Sequence, residues 1–163
     1  ALLYAGDRKD AATMIRQWLA EGKVVICDRY VYSNVGYQCA KLSDEAAREE
    51  LRKWILGLEY EYNAIPKPDV SLFLDVPFAF TERKLLQEQR EGDDRAYLNG
   101  QKDIHEQSME LQRRVRQVYL DAAVYDERMH VIDCCDEELN MAAPEEIFAK
   151  IKTIVNQYIN PAE

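Results

Sequence analysis

Short apolar runs alternating with long amphipathic stretches predict an α/β domain: a parallel sheet wrapped by helices. Three runs supply the strands, at residues 24–27, 70–76 and 130–133. Each is too short for a helix and carries β-branched residues. At 163 residues, 47% hydrophobic and 31% charged, the chain is sized for one domain with a sizeable core. No repeat or linker divides it, so residues 1–163 are expected to form a single domain.

The first helix is read from Arg8 onward, with Ala11, Ile15, Trp18 and Leu19 at i, i+4, i+7 and i+8 and Gly22 as its C-terminal cap. After the run at 24–27 comes the polar segment 28–38. Ser43 is expected to cap a helix whose apolar stripe is Ala47, Leu51, Trp54, Ile55 and Leu58. Ile65-Pro66-Lys67-Pro68 breaks that helix. The run at 70–76 closes on Asp75, and Pro77 suits the first turn of a helix carrying Phe78, Leu85 and Leu86. Residues 87–102 are charged and contain glycines, a composition common to solvated loops and mobile lids. A long helix then places Ile104, Leu111, Val115, Val118 and Ala122 in one stripe. Pro144 starts a last helix with Ile147, Ile151, Ile154, Val155 and Tyr158 facing inward.

A formal charge of −9 argues against broad binding to nucleic acid or to anionic membrane, both of which need a basic footprint. A few convergent arginines can still hold a small anion. Cys27, Cys39, Cys134 and Cys135 lack Cys-x-x-Cys spacing and are expected to be reduced packing thiols of a cytosolic protein. No apolar run approaches a membrane span and no signal-peptide pattern opens the chain. Ala1 stands inside a predicted helix without a methionine, so further chain is expected upstream.

Chemistry is expected where the run at 24–27 ends in Asp28-Arg29, because open α/β sheets bind ligands at the C-terminal edges of their strands. Arg29 can grip a phosphate with two parallel N–H donors, and Asp28 can hold it or face a magnesium shell. A plain strand-end ion pair is the alternative. Tyr4 and Arg8, four apart, share a helix face and could stack on a base and donate to its carbonyl. Asn34 and Tyr37 lie one turn apart; a carboxamide can read a pyrimidine edge and a tyrosine can wall off a sugar. Taken singly, Asn34 also suits a cap or turn, and Tyr37 suits packing.

Together these segments resemble the thymidylate kinase family. Leu2-Leu3-Tyr4-Ala5-Gly6-Asp7-Arg8 is similar to the family segment in which an aromatic stacks on thymine and an arginine four residues later reaches O4. Asp28-Arg29-Tyr30 with Ser33-Asn34 and Tyr37-Gln38 resembles the family's Asp-Arg-Tyr motif and the segment after it. Lys67-Pro68-Asp69, Leu74-Asp75-Val76 and Val131-Ile132-Asp133 extend the likeness over most of the chain.

The resemblance implies a P-loop nucleoside monophosphate kinase fold, with ATP as co-substrate and magnesium, that phosphorylates dTMP to dTDP. It implies that Tyr4, Arg8, Arg29, Asn34 and Tyr37 bind the acceptor nucleotide, Tyr37 crowding the place of a ribose 2′-hydroxyl. Asp28 would fix Arg29 or the metal's waters. It further implies a lid at about residues 90–102, with Arg95 in the position of its catalytic arginine and Arg90 and Arg83 as alternatives. The loop at Asp133-Cys134-Cys135 would pack near adenine, and the protein would be a homodimer for which Trp18 and Trp54 are candidate contacts. One methyl is worth only about one to three kcal/mol, so strictness for thymine over uracil is not read from these residues.

One departure matters. The Gly-x-x-x-x-Gly-Lys-Ser/Thr loop that cradles donor phosphates is not in the sequence; Gly22-Lys23 has Gln17 in place of the first glycine and Val24 after the lysine. The family's N-terminal strands and phosphate loop would precede Ala1. The expectation is therefore the C-terminal part of such a kinase, inactive in phosphate transfer on its own. A deoxynucleoside kinase and a non-catalytic nucleotide-binding protein derived from a kinase are the alternatives.

Overall fold

The computed structural model describes residues 1–91 and 109–159, with side chains described up to residue 84 and from residue 109 onward. Along the chain run α1 (Leu2–Ala20), α2 (Val31–Cys39), α3 (Glu45–Leu56) with a π-helical continuation (Gly57–Tyr62), and β1 (Ser71–Asp75). Then follow α4 (Phe78–Glu91), α5 (Met109–Tyr125), β2 (Met129–Asp133) and α6 (Pro144–Ile159).

The strands pair in parallel, Ser71 opposite Met129 and Asp75 opposite Asp133, so both end in a carboxylate at the same edge. Parallel neighbours require a long crossover, here the chain through α4 and α5. Alternate residues of a strand face opposite ways. Phe73 and Met129 accordingly join the core of α2, α3 and α5, while Leu72 and Ile132 join a second cluster with Ile147, Ile151 and Ile154 of α6. The expected sheet with helices on both faces is thus present, with two strands among the described residues.

The most enclosed element is α2, with Val31, Tyr32, Ser33, Asn34, Val35, Gly36 and Cys39 all buried. Gly36 permits this: a β-carbon there would lie 2.9 Å from Cε2 of Tyr119 on α5. The Tyr119 ring stacks on Phe73 of β1, with centroids 4.5 Å apart and planes 3° from parallel. One tyrosine therefore couples the buried helix to the sheet.

Several expectations are corrected. Residues 24–27 form no strand: Val24 is 63% and Ile26 91% exposed. A strand exists only through backbone pairing, and none of the described residues offers this apolar segment a partner. Helix α1 begins at Leu2, as the helix expected around Ala1 and Tyr4 implies; Ala5 and Ala12 are buried and Arg8, Ala11, Ile15 and Trp18 half-buried, while Leu19 of the expected stripe is exposed. The cap of α3 is Asp44, whose carboxylate accepts from the Ala47 N–H at 2.7 Å, not Ser43. Trp54 is half exposed beside Leu58 and Tyr62 rather than in the core. Tyr158 is also exposed, with its hydroxyl 3.0 Å from Nε2 of His130. Of the stripe expected on the long helix, Val115, Val118 and Ala122 are buried, and Ile104 lies outside the described residues.

The cap at Gly22 is as expected. Its φ of +73° is the left-handed conformation that glycine adopts without strain. Its N–H reaches the Leu19 carbonyl and the Lys23 N–H reaches that of Trp18, satisfying two orphan acceptors of α1.

The core around α2 holds neutral acids. Burial pushes the Cys39 thiol up from its ordinary 9.0 to about 11, and the half-buried Tyr30 phenol up from 10.0 to about 12. Tyr32 is raised as well, by burial and by donating to the Asp126 carboxylate. The unfolded chain releases these protons first. Their contribution to stability is therefore complete below about pH 9 and is lost as pH rises toward 12. We expect the unfolding midpoint to fall steeply over that window, together with tyrosinate absorbance. A midpoint that does not change with alkaline pH would contradict the buried placement.

Candidate functional site

Two groups of side chains meet on α2. The first is built at its N-terminus. Arg29 has φ of +67°, a left-handed backbone that costs a side-chain-bearing residue of order 1–3 kcal/mol and recurs at functional sites. Its Nε donates to Oγ of Ser33 at 2.7 Å, and its guanidinium lies 4.9 Å from the ring centroid of Tyr37. Ser33 and Tyr37 are four apart, so one face of α2 holds the arginine at two points. With Nε tied down, the terminal nitrogens remain for an anion. Among the described residues Arg29 is held by Ser33 and Tyr37 rather than by Asp28, which is exposed beside it.

The second group lies where α1, α2 and the π-helical turn converge. Glu59 on that turn is completely buried. Nε of Arg8 donates to both of its carboxylate oxygens at 3.1 Å, and Nη2 donates to Oε1 as well. Asn34 turns its amide nitrogen to the same Oε1 at 3.2 Å and to the Ala1 carbonyl at 3.3 Å. Its Oδ1 is buried and has no protein donor. Tyr4, one turn before Arg8, is 62% exposed.

The structure thus brings Arg8 and Asn34 onto one carboxylate, with Tyr4 on the same helix as Arg8, and groups Arg29 with Tyr37. Glu59 went unnoticed in the sequence. A signal was present, since it stands four residues after Ile55 and extends the buried stripe with an acid.

The other expected site residues stand apart. Cys134 is fully enclosed in the α6 cluster and its thiol donates to the Ile132 carbonyl at 3.3 Å. Its neighbour Cys135 is half-buried, with its N–H on Oδ1 of Asp133 at 2.9 Å. That bond holds the Asp133 carboxyl below the usual carboxylate range. Asp75, at the adjoining strand end, is gripped by Nε and Nη2 of Arg116 at 2.5 and 2.6 Å. Arg90 falls on the last turns of α4, where side chains are not described, and Arg95 with residues 92–102 lies outside the described residues. No group of three or more His, Cys, Asp or Glu among the described residues could hold a metal ion. Magnesium keeps most of its waters and takes one or two carboxylates, so an exposed carboxylate such as that of Asp28 is chemically compatible with contact through those waters.

Helices on both faces of a parallel strand pair, with Arg29 at the N-terminus of a buried helix whose Asn34 meets Arg8 on Glu59, make an α/β unit, the fold class to which P-loop nucleoside monophosphate kinases belong. The chain belongs to the thymidylate kinase family: the family's sequence model, "Thymidylate kinase", matches residues 1–143. A probable thymidylate kinase of Pyrococcus abyssi is 32% identical over 157 residues, covering 95% of this chain and 63% of that protein. A probable thymidylate kinase of Pyrococcus horikoshii is 33% identical over 134 residues, 82% of this chain and 55% of its own length. The thymidylate kinase of Mycobacterium tuberculosis is 33% identical over 123 residues, with coverages of 76% and 55%. The chain therefore spans between about half and two thirds of the length of these relatives.

Proposed function

We propose that the complete protein is a kinase that uses ATP and magnesium to phosphorylate thymidine 5′-monophosphate, and that these residues carry its acceptor-nucleotide half. The observation that carries the reading is the donor and acceptor pair formed by Arg8 and Asn34. The amide nitrogen of Asn34 is committed to Glu59, which leaves Oδ1, enclosed and without a protein donor, as the acceptor that the N3–H of an entering thymine would satisfy. Arg8 donates to the adjacent O4, while the exposed Tyr4 stacks on the ring.

Arg29 then orients the acceptor phosphate through its terminal nitrogens. An acceptor phosphate is already a nucleophile and needs no base, so positioning and charge neutralisation supply the catalysis. Tyr37, held under the Arg29 guanidinium, walls the sugar on the side of a 2′-hydroxyl. Asp28 would hold the waters of a magnesium ion, which would supply charge neutralisation on the donor phosphates. Arg95, with Arg90 as its alternative, would neutralise that charge, a role that rests on the family resemblance of their sequence positions. A donor phosphate loop is not in this sequence, so these residues alone bind the acceptor without transferring phosphate.

No helix among the described residues is long and apolar enough to cross a membrane, which accords with a cytosolic enzyme. Exposed Trp54 and Tyr62, with half-buried Leu58 between them, suit the contact of a homodimer.

Calorimetric titration of the complete protein with dTMP, dCMP and thymidine tests the reading. Losing the bidentate phosphate contact is expected to weaken thymidine about ten- to a hundredfold relative to dTMP. Thymidine binding as tightly as dTMP would instead indicate a hydroxyl acceptor, as in a deoxynucleoside kinase, and would overturn the assignment.

A further inference from the structure

Glu59 is a charged group enclosed completely by protein, and the phosphate chemistry above makes no use of it. We propose that it is a positioning residue that sets the hydrogen-bonding polarity of the base pocket; this rests on the acceptor-nucleotide reading above. A carboxylate can only accept. Whatever carboxamide faces it must present its NH2, so Asn34 turns Nδ2 toward Oε1 of Glu59 at 3.2 Å and leaves Oδ1 as the buried atom without a protein partner. The same carboxylate engages Nε and Nη2 of Arg8, which leaves the Nη1 edge of the guanidinium for a ligand.

The cluster on Glu59 therefore offers an acceptor, Oδ1 of Asn34, and a donor edge, Nη1 of Arg8. That pattern fits a pyrimidine with N3–H beside a carbonyl, as in thymine and uracil. Cytosine, with a bare N3 beside an amino group, is refused at both positions. Discrimination among pyrimidines thus originates in a residue that touches no substrate. The π-helical turn makes the reach possible: it follows α3, yet its acid meets α1 through Arg8 and α2 through Asn34. The Asn63 side chain, just past that turn, also donates to the Ala5 carbonyl at 3.5 Å. Wide turns of this kind recur at functional sites.

The test compares Glu59→Gln and Glu59→Asp in the complete protein, reading dTMP and dCMP affinities by calorimetry and folding by thermal unfolding. A glutamine turns a donor toward Asn34 or Arg8, so one of them must reorient. The preference for dTMP over dCMP should fall about tenfold or more in Glu59→Gln, while Glu59→Asp, which keeps the carboxylate, should retain it within about threefold. A second measurement needs no change at Glu59. With asparagine-selective isotope labelling, the Asn34 side-chain NH2 protons should resist solvent exchange both with and without dTMP.

An unchanged preference in folded Glu59→Gln, or Asn34 amide protons that exchange like those of a surface residue, would overturn the role of Glu59 while leaving the nucleotide reading intact. An unmutated protein without preference for dTMP over dCMP would overturn both.

Discussion

Replacing Arg29 with alanine should lower turnover on thymidine monophosphate in the complete protein by about a hundred- to a thousandfold, with little change in the unfolding midpoint. The side chain is exposed, so its removal leaves no cavity. What disappears is a two-pronged donor that Ser33 and Tyr37 hold in place. Arg29→Lys keeps the charge but loses both the fork and the Ser33 anchor, and should recover only part of the rate. A coupled assay on purified variants reads this directly. A rate within about threefold of the parent for Arg29→Ala would remove the residue from the phosphate role.

The other large effect is expected at Arg8, and it is on stability as well as on binding. Arg8→Ala strands the Glu59 carboxylate inside the protein without its cation, a change that typically costs about 3–5 kcal/mol. Denaturant unfolding should show that loss, and dTMP affinity should fall with it. Combining Arg8→Met with Glu59→Gln removes both charges and should restore most of the stability. It should not restore affinity, because no donor then reaches O4. Recovery of dTMP binding in the neutral pair would show that Arg8 serves folding alone.

The residues behind these predictions were unequally visible in the sequence. The Asp-Arg-Tyr segment and the i, i+4 pair of Tyr4 and Arg8 are local patterns, and local patterns survive without knowledge of neighbours. The Gly22 cap and the strands at 71–75 and 129–133 were legible for the same reason, whereas the cap of α3 was placed one residue early. Residues 24–27 were not, because apolar β-branched composition states a preference while only a pairing partner makes a strand. Trp54 went astray because periodicity defines a stripe but not which part of it another element covers. Glu59 escaped because an acid on an apolar stripe acquires meaning only once Arg8 and Asn34, 51 and 25 residues away in the chain, are seen to meet on it.

The left-handed backbone at Arg29 bears on the thermodynamics of the first encounter with ligand. An arginine side chain carries about 2 kcal/mol of rotamer entropy, and much of it is usually surrendered when a phosphate is seized. Here the Nε tether to Ser33 and the ring of Tyr37 impose that ordering as the chain folds. If Arg29 holds the acceptor phosphate as proposed, the phosphate would meet a receptor already poised, and its capture should be fast and governed by electrostatic attraction rather than by a search of side-chain conformations.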